Sequence, residues 1–351
     1  MANFTALHTA FRNTAPYDTT QQGLQDDKRT GRFLIYTADH EGHVSLVRAV
    51  DMMNLGRESL RRVPSNDDYT MNVEALRQMI AKDKANGDIP FCVVAQVGSI
   101  NVGCIDPLSA IADVCEKFGL WFHCDGACGA VGAMIPEKRQ LYAGMERADS
   151  ITLDPHKWLY IPYECGCILI REPDRQRRAF SMQASYLRGT LPDEHIGHDY
   201  YETGPQMSRG FKALKLWMTL KHYGAEGYRQ LLRQNVWCAE RLDELVRDDP
   251  DFEALHEPII NIYCLRFAPE GMRIDDEALD RLNQQIADAI QLSGFAFIMT
   301  TKLRGRTVLR LSILLTSDNA RRYRCGFRRA EAPGHRPGRG TYAGRGEVTR
   351  T

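Results

Sequence analysis

Hydrophobic and amphipathic segments alternate through most of the 351-residue chain. Short apolar runs typical of buried strands lie at Phe33–Thr37, Phe91–Val97, Leu120–Cys124, Ser150–Leu153 and Gly166–Ile170. Between them, helical spacing of apolar positions extends from about Val44 to Asn54 and recurs after Pro107, a residue type that favours helix starts. This succession predicts an α/β fold with a mostly parallel sheet covered by helices.

The pattern changes beyond Pro205, where longer amphipathic segments take over. They predict two helices, a strand, a helix and a strand at Ser208–Tyr223, Ala225–Asp248, Ile259–Phe267, Asp275–Ser293 and Thr307–Ile313. We therefore predict a large α/β domain over residues 1–205. Bridging helices and a smaller C-terminal α+β domain are expected over residues 206–319.

The last 32 residues differ from the rest in charge and composition. Residues 320–351 contain nine Arg, no Lys and two acidic residues, a net charge of +7 within a chain whose formal net charge is zero. The segment is rich in Arg, Gly and Pro and has no apolar periodicity. We expect a disordered extension or the product of a shifted reading frame there, and we do not expect nucleic-acid binding.

Composition places the chain among soluble globular proteins, with 43% hydrophobic and 26% charged residues. No apolar run is long enough for a membrane helix, and the first residues lack the pattern of a signal peptide. The ten cysteines have no disulfide-like spacing, which predicts free thiols in a reducing cytoplasm. Cys165 and Cys167 alternate along a predicted strand, but without a second close pair we expect no metal site.

Two charged residues carry the candidate chemistry. Lys157 lies in the segment Asp154–Trp158, and Asp125 ends the strand that precedes it. A lysine amine can form a Schiff base with the aldehyde of pyridoxal phosphate, and a carboxylate can keep its pyridine nitrogen protonated. Taken alone, Lys157 is more often a solvated loop residue, and Asp125 is equally often a turn or capping residue. Because both follow strands of a parallel sheet, we expect them at the same edge, where such folds bind ligands.

The neighbours of these residues fit the same hypothesis. Gly126, Ala127 and Gly129 are small and leave room beside Asp125 for a flat ring. His43 precedes a predicted helix and can stack on a conjugated ring, although a histidine there, taken alone, is more often a capping or surface residue. His40 is an equally good candidate for that stacking role.

Several motifs resemble one known family. They are Asp106–Leu108, Leu120–Ala127, Ala148–Ser150, Asp154–Trp158 and Ser208–Trp217. In this order they resemble the group II pyridoxal-phosphate-dependent amino-acid decarboxylases, which act on aromatic amino acids, tyrosine, histidine or glutamate. The resemblance extends from about Ala2 to Asn319. It implies the aspartate-aminotransferase-like fold-type I and a homodimer whose active sites lie at the subunit interface.

The resemblance also implies roles for individual residues. Lys157 would form the internal aldimine, Asp125 would pair with the pyridinium, and His43 and Ala127 would pack against opposite faces of the ring. His156 would contact the phosphate or the carboxylate region. The Gly-Thr-Thr turn of the family is Gly98-Ser99-Ile100 here, so Ser99 would partly replace a hydroxyl that meets the cofactor.

A tyrosine is expected to decide the product. Tyr186 lies in Ser185–Arg188, where the family has a mobile loop, and would protonate the α-carbon after CO2 leaves. Relatives that make aldehydes tend to have phenylalanine there, so we expect an amine product. The same loop favours an aromatic substrate over glutamate.

The chain also departs from the family at its first residues. Ala2–Leu7 resembles the end of a segment whose earlier part, a Ser/Gly-rich turn, cradles the phosphate. We expect a truncated reading frame, and a catalytically inactive remnant is therefore the main alternative to an active decarboxylase. A decarboxylation-dependent aldehyde synthase is the third hypothesis.

Overall fold

The computed structural model describes residues 1–24, 31–39, 42–182, 199–271 and 275–314. Met1–Ile313 forms one compact unit. The helices of the described part are α1 Ala2–Thr14, α2 Thr19–Gln22, α3 Val44–Met52, α4 Val73–Ala85, α5 Leu108–Phe118, α6 Pro173–Phe180, α7 Lys212–Arg247 and α8 Asp276–Leu292. None of these described helices has the length and apolar composition needed to cross a membrane.

The strands of the described residues form two sheets. The strands are β1 Phe33–Ala38, β2 Leu60–Val63, β3 Ile89–Gln96, β4 Trp121–Asp125, β5 Ser150–Leu153, β6 Cys167–Ile170, β7 Phe252–Ala254, β8 Ile262–Phe267, β9 Met299–Leu303 and β10 Arg306–Ser312. The first sheet has the order β2-β1-β3-β4-β5-β6, in which β6 is antiparallel to β5 and the other pairs are parallel. The second has the order β7-β8-β10-β9 and is antiparallel. The predicted α/β fold of type I is confirmed.

Helices cover both faces of the parallel sheet. Val93 of β3 faces a core that contains Leu76 of α4 and Ile111 of α5. The next residue, Val94, faces the opposite core with Leu7 of α1 and Leu46 of α3. Successive side chains of a strand point to opposite faces, so a strand buried on both sides has a continuous apolar run. This explains why β3 and β4 could be recognised in the sequence.

The second sheet packs between α8 and the main body. On one face, Tyr263 and Leu309 share a core with Ala287 of α8. On the other, Cys264 and Val308 pack with Val102, which belongs to the segment between β3 and α5. The predicted boundary between residues 205 and 206 stays a prediction, and the 320–351 tail lies outside the described residues.

The two helices predicted after Pro205 are present and follow each other directly within α7. The 36 residues of α7 are interrupted at Gly224, whose φ of 65° is non-helical and lies in the left-handed region that glycine adopts at little cost. The predicted segments Ser208–Tyr223 and Ala225–Asp248 meet at this position, so the prediction of two helices is confirmed.

Candidate active site

Strand β4 ends in a buried carboxylate. Asp125 is 4% exposed and pairs in register with Gln96 at the end of β3, while Thr152 of β5 lies on its other side. Because these strands are parallel, their carboxyl ends form one edge of the sheet. The sequence prediction that Asp125 lies at this edge is therefore reproduced in the structure.

Three donors hold the Asp125 carboxylate. Asn3 Nδ2 donates to Oδ2 at 2.8 Å, and the Thr152 hydroxyl donates to Oδ1 at 3.1 Å. The backbone N–H of Ala127 also donates to Oδ1, at 3.3 Å. A buried carboxylate is stable only when it is paired or hydrogen-bonded, and these contacts meet that need.

Asn3 connects Asp125 to His43. Its Nδ2 atom also lies 2.7 Å from Ser45 Oγ, and Ser45 Oγ lies 2.8 Å from His43 Nδ1. His43 is the N-cap of α3, since Nδ1 accepts from the Ser45 N–H at 3.2 Å. The capping alternative for His43 is thus correct as a structural description, and the same ring lies at the candidate site.

A second imidazole, that of His123, contacts the other side of the Asn3 amide. His123 is fully buried, with Nε2 at 3.2 Å from Asn3 Oδ1 and Nδ1 at 2.8 Å from Ser150 Oγ. Trp121 Nε1 donates to the same Ser150 oxygen at 2.8 Å. Burial lowers the pKa of His123 to about 4, although the Asp125 charge acts in the opposite direction. The ring is therefore neutral at neutral pH.

Lys157 lies in the turn after β5. Its Nζ atom is 2.9 Å from Asp154 Oδ2 and 3.6 Å from Cys128 Sγ. Burial lowers the pKa of Lys157, but the neighbouring groups Cys128, Asp154 and Asp125 together raise it above its ordinary value. Burial also raises the pKa of the Cys128 thiol, so at neutral pH that thiol is uncharged and the two carboxylates carry the effect.

Electrostatic coupling joins the two parts of the site. Burial lowers the pKa of His43, and that ring interacts with the charges of Asp125, Lys157 and Asp154. Lys157 in turn interacts with Asp125. The structure therefore brings together His43, Asp125 and Lys157, which are separated by up to 114 positions in the sequence.

Other predicted site residues have additional or different contacts. The His156 ring is bound to the Cys165 backbone, with Nδ1 at 2.7 Å from the carbonyl oxygen and 2.9 Å from the nitrogen. The Ser99 hydroxyl is buried and accepts from the N–H and the thiol of Cys104 at 3.2 Å each. Their cofactor roles, and that of Ala127, stay predictions. Tyr186 and His40 lie outside the described residues.

The glycines beside Asp125 serve backbone packing. A Cβ on Gly126 would lie 2.3 Å from the Ala130 Cβ, and one on Gly129 would lie 2.6 Å from the Gly98 Cα. Real Cβ atoms do not approach that closely, so a side chain at either position would move the turn. Close packing thus accounts for these glycines without a flat ring.

Sequence reasoning missed several residues of this site. Asp154 and Cys128 lie three positions from Lys157 and Asp125, and a search of near neighbours would have found them. Thr152 lies opposite Asp125 in the adjacent strand β5, so strand pairing could have indicated it. Asn3 is 122 positions from Asp125, and no sequence pattern connects the two residues.

The described residues fit pyridoxal phosphate. Within them, Asp125 Oδ2 accepts one hydrogen bond, which leaves an acceptor direction for a ring N–H. Lys157 supplies a primary amine and His43 an aromatic ring. The first turn of α1, which reaches the site through Asn3, carries no acidic side chain and so suits a nearby phosphate.

Comparison with known proteins gives the same family at the sequence and structure levels. The pyridoxal-dependent decarboxylase conserved domain matches residues 1–268. An aromatic-L-amino-acid decarboxylase of Bacillus atrophaeus is 31% identical over 311 residues, which are 89% of this chain and 62% of that protein. A phenylacetaldehyde synthase of Arabidopsis thaliana is 30% identical over 80% of this chain and 57% of its own length.

A solved structure extends the similarity to the fold. The crystal structure of Oryza sativa TDC with PLP and tryptamine matches with a TM-score of 0.82 at 27% identity, over 93% of this chain and 68% of that one. The chain spans about three fifths of the length of the two curated relatives named above. The family match covers more than half of this chain, including Asp125 and Lys157. The chain therefore belongs to the pyridoxal-dependent decarboxylase family.

Proposed function

We propose that this protein decarboxylates an L-amino acid to the corresponding amine and CO2 with pyridoxal phosphate as cofactor. The observation that carries the proposal is a set of contacts at one edge of the parallel sheet: Asn3 contacts both Asp125 and Ser45, and Ser45 contacts His43. Lys157 Nζ lies 3.6 Å from Cys128 Sγ in the turn that follows Asp125. Lys157, Asp125 and His43 supply the amine, the carboxylate and the ring that the cofactor needs, and they lie in a fold shared with structures of the same family.

Each of the described site residues would have a separate role. When bound, pyridoxal phosphate supplies an electron sink that stabilises negative charge at the substrate α-carbon. Asp125 would hold a proton on the ring nitrogen, since its carboxylate is fixed by three donors. His43 would cover one face of the ring. Asp154 would keep the Lys157 amine in place through the 2.9 Å ion pair.

The substrate is proposed to be aromatic. The support comes from two relatives, each 31% identical to this chain, which are named as an aromatic-L-amino-acid decarboxylase and a tryptophan decarboxylase. The Tyr186 loop, predicted from sequence to favour an aromatic substrate, lies outside the described residues. Glutamate is the less favoured substrate.

The central experiment is a map of covalent cofactor attachment. The purified chain is incubated with pyridoxal phosphate, reduced with borohydride and digested, and the labelled peptide is identified by mass spectrometry. We expect the label on Lys157, no label in Lys157→Ala, and full labelling in Lys82→Ala, which changes an exposed lysine of α4. The unsubstituted chain is then assayed for CO2 and amine with aromatic amino acids and with glutamate.

Two results would contradict the proposal. A label on another lysine would remove Lys157 from the site. A label on Lys157 without turnover of any amino acid would favour the inactive remnant, which we predicted as the alternative. The second result would leave the cofactor site intact and reject only the activity.

Aldehyde synthesis is the second candidate function, because relatives named phenylacetaldehyde synthase are about as similar as the decarboxylases. The two reactions differ in their products, since aldehyde formation consumes O2 and water and releases ammonia and hydrogen peroxide with the CO2. We expect the amine, and Tyr186→Phe is expected to shift the products towards aldehyde. An unchanged product ratio would remove the predicted role of Tyr186.

We further propose a homodimer. Large apolar side chains are exposed at the start of α7: Phe211, the residue before the helix, is 76% exposed, and Trp217 in its first half is 58% exposed. Exposed apolar patches of this kind mark interaction surfaces. Sedimentation velocity should give twice the chain mass, and Trp217→Glu should give the monomer. Leu292→Glu, at an exposed position of α8, is the control, and a monomeric unsubstituted chain would contradict the proposal.

A cytoplasmic location is also proposed. The nine cysteines of the described residues are all free thiols, which fits a reducing compartment. Fractionation of the native host with antibody detection tests this directly, and recovery of the protein outside the cytoplasm would overturn it.

A further inference from the structure

A continuous set of hydrogen bonds surrounds the Asn3 side chain. Its amide group lies within hydrogen-bond distance of Asp125, Ser45 and His123, at 2.8, 2.7 and 3.2 Å. Asn3 is 7% exposed, so water cannot easily replace these partners. The first turn of α1 therefore supplies a single side chain that contacts the end of β4, the middle of β4 and the start of α3.

The partners fix which way the amide points. An ionised carboxylate can only accept hydrogen bonds, so the atom that faces Asp125 Oδ2 must be the Nδ2 donor. The second Nδ2 hydrogen then points to Ser45 Oγ, whose own hydroxyl hydrogen is free to donate to His43 Nδ1. A flipped amide would place two oxygens in contact at Asp125. Only one orientation is consistent with the carboxylate.

The other side of the amide imposes a tautomer on His123. Because Asn3 Oδ1 can only accept, His123 Nε2 must carry the ring hydrogen. Nδ1 then accepts from the Ser150 hydroxyl, and Ser150 Oγ accepts from Trp121 Nε1, which is always a donor. Burial lowers the pKa of His123 to about 4, in agreement with a neutral ring. The donor and the acceptor of each hydrogen bond from Trp121 Nε1 to Asp125 Oδ2 are thus defined.

We propose that Asn3 is the positioning residue of Asp125, with an amide locked by His123 so that an N–H always points at Oδ2. The inference rests on the proposed function, because Asp125 is taken to hold the ring nitrogen of pyridoxal phosphate. The side-chain contacts of Asn3 are with Asp125, Ser45 and His123, so its effect on the cofactor would pass through Asp125. Its effect is to hold the carboxylate in one rotamer, with its other acceptor direction left for the ring.

The first test uses the chain without cofactor. Proton–nitrogen correlation NMR of histidine-labelled protein reports the tautomer of each neutral ring. We expect His123 as the Nε2–H form with a slowly exchanging ring proton, and we expect Asn3→Leu to lose that slow exchange. A His123 ring protonated on Nδ1 or on both nitrogens would overturn the proposed amide orientation.

The second test uses pyridoxal phosphate labelled at the ring nitrogen. The nitrogen chemical shift reports whether the ring is protonated, which a purely structural role of Asn3 would not change. In Asn3→Leu we expect a shift towards the unprotonated value and a dissociation constant for the cofactor raised roughly tenfold or more, the size of a lost hydrogen bond to a charged group. In turnover, kcat should fall more than KM rises.

Asn13→Leu is the matched control. Asn13 lies on the same helix, and its amide donates to the carbonyls of Thr9 and Arg175, away from the site. Comparable melting temperatures of the two variants, together with a ring-nitrogen shift in Asn3→Leu alone, support the positioning role. An unchanged ring-nitrogen shift in a folded Asn3→Leu protein overturns it.

The two proposals fail in different ways. A chain that binds no pyridoxal phosphate rejects the proposed function, while the histidine measurement still tests the orientation of Asn3. A chain that binds the cofactor on Lys157 but tolerates Asn3→Leu rejects the positioning role alone. If Asn3→Leu does not fold, Thr152→Val removes the other side-chain donor to Asp125 and should give the same direction of ring-nitrogen shift.

Discussion

The two sides of the candidate site are held by different kinds of contact. On the Asp125 side, donors from three chain segments fix a carboxylate that is 4% exposed. On the Lys157 side, a side chain that is 32% exposed is held by one ion pair to Asp154 and a long contact to Cys128. A fixed carboxylate suits a group that must keep one proton in place. A loosely held amine suits a group that must exchange partners.

Substitution of Asp125 should have the largest effect. In Asp125→Asn, the new NH2 group faces the Asn3 N–H in one amide orientation and the Ala127 N–H in the other. Two hydrogen-bond donors therefore face each other in either orientation. The ring nitrogen also loses its negative partner. We expect turnover to fall by about 10²–10³-fold, the usual loss for one preorganised electrostatic contact.

Asp149→Asn is the control for this substitution. Asp149 is a half-buried carboxylate that accepts from the Phe122 N–H and lies outside the site. Steady-state kinetics with the preferred amino acid would compare the two variants. Turnover of Asp125→Asn within a few-fold of the unsubstituted chain would show that the Asp125 carboxylate is not required for the reaction.

Acid should destabilise the Asp125 side. Burial lowers the pKa of His123 from 6.5 to about 4, so the folded protein resists a proton that the unfolded chain takes up. The contribution to stability is present above pH 6.5 and is lost as the pH falls towards 4. His8, whose pKa is lowered to about 4 mainly by burial, acts in the same direction. We therefore expect the free energy of unfolding to decrease through this range.

Urea unfolding at a series of pH values measures that decrease. His123→Gln should reduce the slope of stability against pH, because one of the groups that take up a proton on unfolding is removed. His222→Gln, at an exposed position of α7, should leave the slope unchanged. Equal slopes in the unsubstituted chain and His123→Gln would show that the His123 ring is already charged in the folded state.

The same contrast explains how much of the site the sequence could predict. Lys157 was found because its neighbours form a recognisable motif, and its ion-pair partner lies three residues away. Asp125 was found because it ends an apolar strand. Asn3 reaches Asp125 and Ser45 only through tertiary packing of α1, and single-sequence patterns carry no information on such pairs.

The strands of the fold also differ in how well the sequence predicts them. Strands buried on both faces, such as β3 and β4, were predicted within about two residues because apolar runs identify them. Strand β2 was missed, since Arg61 and Arg62 occupy its two central positions. Arg61 pairs with the buried Asp83, and that partner is 22 residues away, so the strand has no local apolar signal.

Removal of Asp154 should act mainly on the Lys157 side, where its carboxylate forms the ion pair. Its carboxylate is one of the negative groups that raise the pKa of Lys157, so Asp154→Asn should lower that pKa and increase the neutral amine at a given pH. We expect covalent cofactor attachment near neutral pH to accelerate, because a larger fraction of the amine is then uncharged. Stopped-flow absorbance across a pH series would measure it.

Asp51→Asn serves as the control, because Asp51 forms an exposed ion pair with Arg57 away from the site. An attachment profile that moves to higher pH in Asp154→Asn would contradict the assignment of Asp154 as the group that retains the proton on Lys157. An unchanged profile would mean that Asp125 alone sets the Lys157 charge.

Substitution of Cys128 should have the smallest effect. The thiol lies 3.6 Å from Lys157 Nζ, but burial raises its pKa, so at neutral pH it is a weak acceptor without charge. We expect Cys128→Ala to change turnover by less than about threefold, since a neutral hydrogen bond contributes little in net terms. Cys167→Ala, at another half-buried cysteine, is the matched control. A loss of more than tenfold in Cys128→Ala alone would indicate a thiolate paired with Lys157, and the lysine side would then be as firmly held as the carboxylate side.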